Sequence, residues 1–419
     1  MFRTLCVVLL AACAPVVPKP TVLHVSEDRR EAFETLTATM EKAARERGVP
    51  GGAIAIVENG ELAHAAGFGL RHIDRPEGVT PRTVFRSASS GKTLIAATAL
   101  SLVDAGQLSL DAPIHSLRVT LRQALNHTSG LADRGELVCS GTVEQWLTDY
   151  LPGSQRTSPG AVWNYANPNY LLVAAEIEKV TGRRFEDVVK ERLFAGLESA
   201  TFEPAEAVQR EHWFMHTSTG PKDLDAVDCV LLRAGGGVMI DVIDFARVLT
   251  RIDGQRMLEG AVDIRRGPGT KYGLGVYSAR ARDGSEGFMH PGGMDGVQSF
   301  YAAFPGFMVV AFFNGNAPLT KELSDAVAVY RGMTGAPATQ EPPPFEPFVG
   351  TFRDEEHALD VEISLLDGTL WADFGNGRQA LRWLGGDTFL VKWPGTGDIE
   401  ATFFPNGYLV TRVGVAKRT

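Results

Sequence analysis

The chain has little cysteine, four in 419 residues, and none stands in a Cys-x-x-Cys pair or another metal-ligand spacing. A zinc site built on cysteine is thereby set aside. It also lacks any block of lysine and arginine. With 41 basic against 50 acidic residues, the formal charge is −9. That balance argues against a nucleic-acid partner and against an electrostatic grip on anionic lipid. No convincing internal repeat is present. The apolar run near the start, Leu5 to Ala12, is too short to cross a bilayer as a permanent helix.

What is present begins with an export signal. Met1-Phe2-Arg3 is a minimal positive start, and the apolar run ends in Leu10-Ala11-Ala12-Cys13. That ending resembles a bacterial lipobox, which implies cleavage before Cys13 and lipidation of that cysteine. Residues 1–12 are then a lipoprotein signal peptide. Residues 13–28, with Pro15, Pro18 and Pro20, are a tether. An ordinary secretory signal cut nearby is the other reading. Both place the protein in the periplasm or cell envelope, and the first attaches it to a membrane only through an N-terminal lipid. Cys6 falls in the signal. Cys139 and Cys229 remain, and an oxidising compartment permits a disulfide between them, although sequence does not show their proximity.

With 44% hydrophobic and 22% charged residues, the rest reads as a globular protein able to bury a large core. Glu31 to Arg47 is patterned as an amphipathic helix. Gly51–Val57 and Leu62–Gly67 read as strands around the hairpin signal Asn59-Gly60. Gly91 to Ala105 is apolar on nearly all faces and predicts a buried helix, and Pro168 to Lys179 predicts another. Gly296–Phe304 and Gly306–Asn314 return to strand patterning. This order suggests an antiparallel sheet flanked by helices, with a helical middle packed alongside it, over residues 29–335. A proline-rich linker, 336–345, contains Pro342-Pro343-Pro344. Residues 346–419 alternate in short segments parted by turns such as Asp367-Gly368 and Asn406-Gly407, and predict a small all-β module.

Chemistry concentrates in Phe85-Arg86-Ser87-Ala88-Ser89-Ser90-Gly91-Lys92. A spacing of three puts Ser89 and Lys92 on one helix face. Serine is a weak nucleophile until its proton is taken, and a poorly hydrated lysine can help to take it. Alone, Ser-x-x-Lys occurs on many solvated helices. A phosphate loop on Gly91-Lys92-Thr93 is rejected, since Arg86 occupies the place of the required glycine. Further along stand Tyr165-Ala166-Asn167 and His290-Pro291-Gly292-Gly293.

The ordered set Ser-x-x-Lys, Tyr-x-Asn and His-x-Gly resembles the penicillin-recognising serine hydrolases, on the branch of class C β-lactamases, D-alanyl-D-alanine carboxypeptidases, D-aminopeptidases and related esterases. Gly106–Asp111, Leu125–Leu131 and Ala234–Gly237 also look familial, and the resemblance covers roughly residues 30 to 330 and implies an α/β sandwich with an antiparallel sheet and a helical subdomain. It implies that Ser89 is the nucleophile, that Lys92 and Tyr165 share its proton, and that Asn167 orients lysine and substrate. The backbone N–H groups of Ser89 and Gly293 would form the oxyanion hole. His290 and Gly292 would border the substrate. The implied substrate is a small molecule or peptide, with no cofactor and no metal.

The implied activity is that of a D-amino-acid peptidase or carboxypeptidase. An esterase of short acyl esters, a β-lactamase, and a non-catalytic penicillin- or peptidoglycan-binding sensor are the alternatives. His290 stands where class C β-lactamases usually have lysine, and is expected to give a weaker, pH-dependent anchor for a substrate carboxylate. His127 is expected to be structural. His212 and His216 could share a helix face but lack the intervening Glu of a metalloprotease. Asp223, Asp225 and Asp228 lack the spacing of a calcium loop. The module opening Phe348-Val349-Gly350-Thr351-Phe352 looks like small lipocalin-like barrels appended to some relatives.

Overall fold

A computed structural model describes residues 21–419 apart from 26–28, 73–74, 115–116, 134–141, 150, 152, 204–212, 218–219, 225–229, 268, 334–339, 356, 394–396 and 412–413. Cys6, Cys13, Cys139, Cys229, His212, Asp225 and Asp228 lie outside the described residues.

One antiparallel sheet organises the first 330 residues. Its strands run, edge to edge, Thr21–Val25, Glu61–His72, Gly51–Glu58, Phe307–Phe313, Val297–Phe304, Glu286–Met294, Tyr277–Arg280, Lys271–Tyr272 and Val262–Asp263. Arg75–Gly78 pairs separately with Glu61–His72. Both faces of the sheet are covered, which is why its central strands are apolar throughout instead of alternating. Along Gly51–Glu58, Ala53, Ala55 and Val57 enter the larger core, while Ile54 and Ile56 enter the smaller one. Along Phe307–Phe313 the same period-two division sends Val310 and Phe312 one way and Val309 and Phe313 the other.

The helices Arg30–Glu46 and Thr320–Tyr330 pack together and close the smaller core with Phe33, Leu36, Met40 and Leu323. Lys92–Asp104, Pro168–Thr181, Phe185–Leu193 and Val242–Leu249 close the larger one. Thr21–Val25, which the tether reading left as linker, is a strand paired with Glu61–His72 in the register Thr21↔Gly67. The β-branched Thr21, Val22 and Val25 suit a strand despite the nearby prolines. His216 lies in a hairpin strand, Trp213–Thr217, paired with Gly220–Leu224, so no helix carries a histidine pair there. Among the described residues no helix is long and apolar enough to cross a membrane.

The C-terminal domain is a second antiparallel sheet of nine strands, from Gly350–Asp354 to Val415–Arg418. Its end segments approach each other, so the sheet curls into a nearly closed barrel around Phe348, Phe352, Val361, Leu370, Phe389 and Phe403. Curling of this kind protects edges that would otherwise invite pairing with another chain. Three of its short strands, Arg378–Ala380, Arg382–Gly385 and Val415–Arg418, carry too little alternation to be legible in sequence.

Candidate active site

Ser89 sits on a tight turn between a strand and the buried helix. Phe85–Arg86 pairs with Met239–Ile240, a 3-10 turn covers Ala88–Gly91, and the α-helix begins at Lys92. Ala88 is held at φ +44, a left-handed conformation that costs energy for any residue with a Cβ. Packing keeps it there. A Cβ on Gly236 would lie 2.1 Å from the Ala88 carbonyl oxygen, so only glycine admits the chain this close. The turn leaves Ser89 half-buried while Ser87, Ser90 and Lys92 are fully buried.

Lys92 is 0% exposed, and among the described residues its Nζ meets Ser89, Asn167 and Gly235. It lies 3.0 Å from Ser89 Oγ, 2.8 Å from Asn167 Oδ1 and 2.5 Å from the Gly235 carbonyl oxygen. The last two can only accept. A neutral amine therefore gives them its two N–H bonds and keeps its lone pair for the Ser89 hydroxyl, while an ammonium gives its third N–H to Ser89 Oγ. The two protonation states need the same geometry. The rings of Tyr165 and Tyr170, 5.2 and 5.5 Å from Nζ, further favour a cation there.

Asn167 is itself fixed. Asp133 Oδ1 accepts its backbone N–H at 3.0 Å and its side-chain N–H at 3.2 Å. With the amide nitrogen committed to Asp133, Oδ1 must face the lysine. Asp133 was not legible as a site residue, because it follows Leu131-Ala132 in an ordinary loop segment. Its only sequence signal is adjacency to the Leu125–Leu131 landmark.

That landmark acquires a physical role through His127. A capping box between Thr120 and Gln123 starts the short helix Leu121–Leu125, and His127 follows at φ +59. Its Nδ1 accepts the Ala166 N–H at 3.2 Å and lies 3.1 Å from Asn169 Nδ2, so the ring braces the Tyr165–Asn169 segment from behind. The ring lies 4.3 Å from that of Tyr165, tilted 33° to it. Burial, then the nearby Lys92 charge, pushes its pKa well below the ordinary histidine value. His127 is neutral, with its proton on Nε2.

The Tyr165 hydroxyl is buried and has no hydrogen-bond partner among the described residues. Burial is the first cause of a pKa well above 10, with Tyr277 adding to it. Nearness to Ser89 works the other way, although no bond of ordinary geometry joins them. Tyr165 is a phenol, poised to give a proton.

His290 behaves differently from the sequence-based expectation. Its ring is 1% exposed, its Nδ1 lies 2.6 Å from the Pro291 carbonyl oxygen, and its Nε2 lies 3.0 Å from the Tyr272 hydroxyl. A carbonyl can only accept, so Nδ1 carries the proton and Nε2 accepts from Tyr272. Burial, followed by the Lys92 charge, pushes its pKa down to about 3. The weaker, pH-dependent anchor expected from sequence is therefore corrected: both ring nitrogens are engaged within the protein, and burial favours the neutral ring. Its backbone and its strand matter more. The His290 carbonyl accepts from Ser90 Oγ at 2.9 Å, and Ser299 Oγ on the next strand donates to the Ser87 carbonyl. These bonds clamp the strand against the nucleophile turn.

Gly292 stands at the closest approach. A Cβ there would meet Ser299 Oγ at 2.1 Å, and Ser87 O and Ser89 N at 2.9 Å. Gly293, the next residue, is exposed. The adjoining strand Tyr277–Arg280 pairs only as far as Met289, so the backbone after His290 has a strand edge open beside Ser89.

This arrangement is that of a family. A family model described as Beta-lactamase matches residues 34–331, and the chain belongs to that family of serine hydrolases, together with penicillin-binding proteins. Penicillin-binding protein 4 of Amycolatopsis lactamdurans is 29% identical over 363 residues, covering 74% of this chain and 94% of that protein. The D-aminopeptidase of Brucella anthropi is 26% identical over 294 residues, covering 63% of this chain but 56% of its own length. The solved structure of SurE with D-Leu superposes with a TM-score of 0.70 at 21% identity, covering 93% of this chain and all of that one, barrel included.

Proposed function

We propose that the protein cleaves an amide through an acyl-enzyme on Ser89, with a D-amino acid, or a peptide bearing one, as the acyl side. The observation that carries the mechanism is the Lys92 contact set. With two partners that only accept, the lone pair of Nζ is left for the Ser89 proton. Ser89 Oγ attacks the carbonyl carbon as its proton passes to Lys92. Negative charge on the carbonyl oxygen meets the backbone N–H groups of Ser89 and Gly293, each worth about 3 kcal/mol in such sites. The C–N bond then breaks while Tyr165 gives its proton to the leaving nitrogen and recovers one from Lys92. Water hydrolyses the ester by the reverse proton path and restores Ser89.

The D-amino-acid side rests on relatives named as penicillin-binding proteins and D-aminopeptidases. A neutral His290 offers no charge to the carboxylate of a carboxypeptidase's leaving residue, which favours an uncharged leaving group. We also propose export with a lipid on Cys13, on the strength of the signal-like N-terminus. Mass spectra of the mature protein should show a lipid-modified N-terminal cysteine, and an unlipidated start elsewhere removes that reading.

Incubation with a fluorophosphonate probe or fluorescent penicillin should label the wild type and leave Ser89→Ala unlabelled. A panel of D-alanyl amides, p-nitrophenyl esters and nitrocefin should show amide turnover. Labelling of Ser89→Ala equal to wild type overturns the nucleophile. Turnover confined to esters or nitrocefin overturns the amide.

A further inference from the structure

We infer that the side of the site beside Tyr165 accepts a neutral apolar leaving group, and that Phe404 of the C-terminal barrel helps to build that subsite. The inference rests on the acyl-enzyme reading above. In that reading the C–N bond breaks as the nitrogen takes the Tyr165 proton, so whatever is attached to the nitrogen must lie around the Tyr165 hydroxyl.

Those surroundings are aromatic. The His290 ring is 6.3 Å from that of Tyr165, and Tyr277 is 5.1 Å from His290. Trp163 and Tyr272, both buried, each lie 6.4 Å from Tyr165 and form the floor. Tyr165 and Tyr277 are half-buried at the rim. None of these five rings carries a positive charge: both nitrogens of His290 are already bonded, to Pro291 and Tyr272. A carboxylate on the leaving group would lose water here and gain no counter-charge from the wall, whereas an apolar group exchanges water for rings.

The barrel completes the wall. Phe404 packs against the cluster of Trp163, Ile264 and Tyr272 and is itself half-buried. Its turn is held tightly. The Phe404 N–H donates to the Tyr408 carbonyl at 2.8 Å, Gly407 supplies the left-handed residue at φ +85, and Asn406 Nδ2 donates to the Ala161 carbonyl at 2.7 Å, two residues before Trp163. A second tie, from Thr388 Oγ1 to the Arg265 carbonyl at 3.0 Å, anchors the barrel beside Ile264. Nothing in folding the barrel alone requires an aromatic residue on this turn, since its own core is already filled by Phe348, Phe389 and Phe403.

Two matched substrate pairs test this. Charge is isolated by D-alanyl-D-alanine against its C-terminal amide, and apolar contact by D-alanine benzylamide against the methylamide. The wild type should prefer the capped dipeptide and the benzylamide, each by about tenfold or more in kcat/KM. In Phe404→Ala the benzylamide preference should fall about tenfold, chiefly through KM, and Phe404→Leu should restore part of it. Should Phe404→Ala unfold, Asn406→Ala loosens the same turn and should reduce the same preference. A free dipeptide cleaved as well as its amide overturns the neutral subsite. An unchanged benzylamide preference in both Phe404 variants overturns the role of the barrel. Fluorophosphonate labelling of the wild type runs alongside: no label means that the acyl-enzyme reading has failed, whereas label with a reversed substrate order means that only the subsite has.

Discussion

On the Lys92 side of Ser89, polar atoms are matched to partners: Nζ to Ser89 Oγ and to the acceptors Asn167 Oδ1 and Gly235 O, Asn167 to Lys92 and Asp133, Ser90 and Ser299 to the clamped backbone. On the Tyr165 side, the Tyr165 hydroxyl, Trp163 Nε1, His127 Nε2 and Asn169 Oδ1 are buried with no hydrogen-bond partner among the described residues. Buried polar groups are ordinarily satisfied, so an orphan needs a reason. The difference separates two tasks. Proton transfer from serine demands fixed donors and acceptors before substrate arrives. Leaving-group departure needs a donor that is free until substrate reaches it.

The comparison breaks most sharply on the polar side. Ser89→Ala and Lys92→Ala should each lower kcat by about 10⁴-fold or more, read by steady-state kinetics, with Ser89→Ala leaving the unfolding temperature nearly unchanged. Tyr165→Phe should lower kcat for amides by about 10²–10³-fold and for p-nitrophenyl esters by far less, because a nitrophenolate needs no proton to leave. An equal loss on both substrates would deny Tyr165 the donor role. Gly292→Ala should cost about 10²-fold, since its methyl collides with Ser299 Oγ and Ser89 N and moves an oxyanion donor. Asp133→Ala should cost about tenfold in kcat, near 1.4 kcal/mol, the scale of one buried hydrogen bond. Asp133→Asn, which keeps an acceptor, should recover part of it.

The smallest effect is on stability. His290 has a folded pKa of about 3, below its value in the unfolded chain, and His127 is shifted the same way. Between about pH 6.5 and 3 the unfolded chain binds protons at these rings that the folded one refuses, so stability rises with pH across that window and is lost on acidification. Thermal unfolding followed from pH 7 to 4.5 should show a falling midpoint. His290→Gln should flatten that fall, and an unaltered slope would mean that the buried ring does not set it.

Much of this was legible before any coordinates. Ser89 and Lys92 were spaced to meet, and they do, at 3.0 Å, with Ser89 on the 3-10 turn that leads into the helix instead of on the helix itself. The buried helix, the hairpin at Asn59-Gly60 and the all-β module followed from periodicity and turn chemistry. Asp133 was not legible, because a loop aspartate looks alike whether it orients an amide or faces water. The state of His290 was not either: residue type fixes an ordinary pKa, and only burial against Tyr272 and Pro291 moves it. The strand Thr21–Val25 was hidden by neighbouring prolines that made the whole stretch read as tether.

By itself the sequence determined the class of chemistry, because a nucleophile, a base and an amide at set spacings are local facts or ordered ones. Tertiary structure alone decided what surrounds them. Phe404 and Trp163 are 241 positions apart in the chain, and Asp133 and Asn167 belong to separate segments. Whether such residues touch depends on how sheets and loops pack, and that packing decides which leaving group the site can welcome.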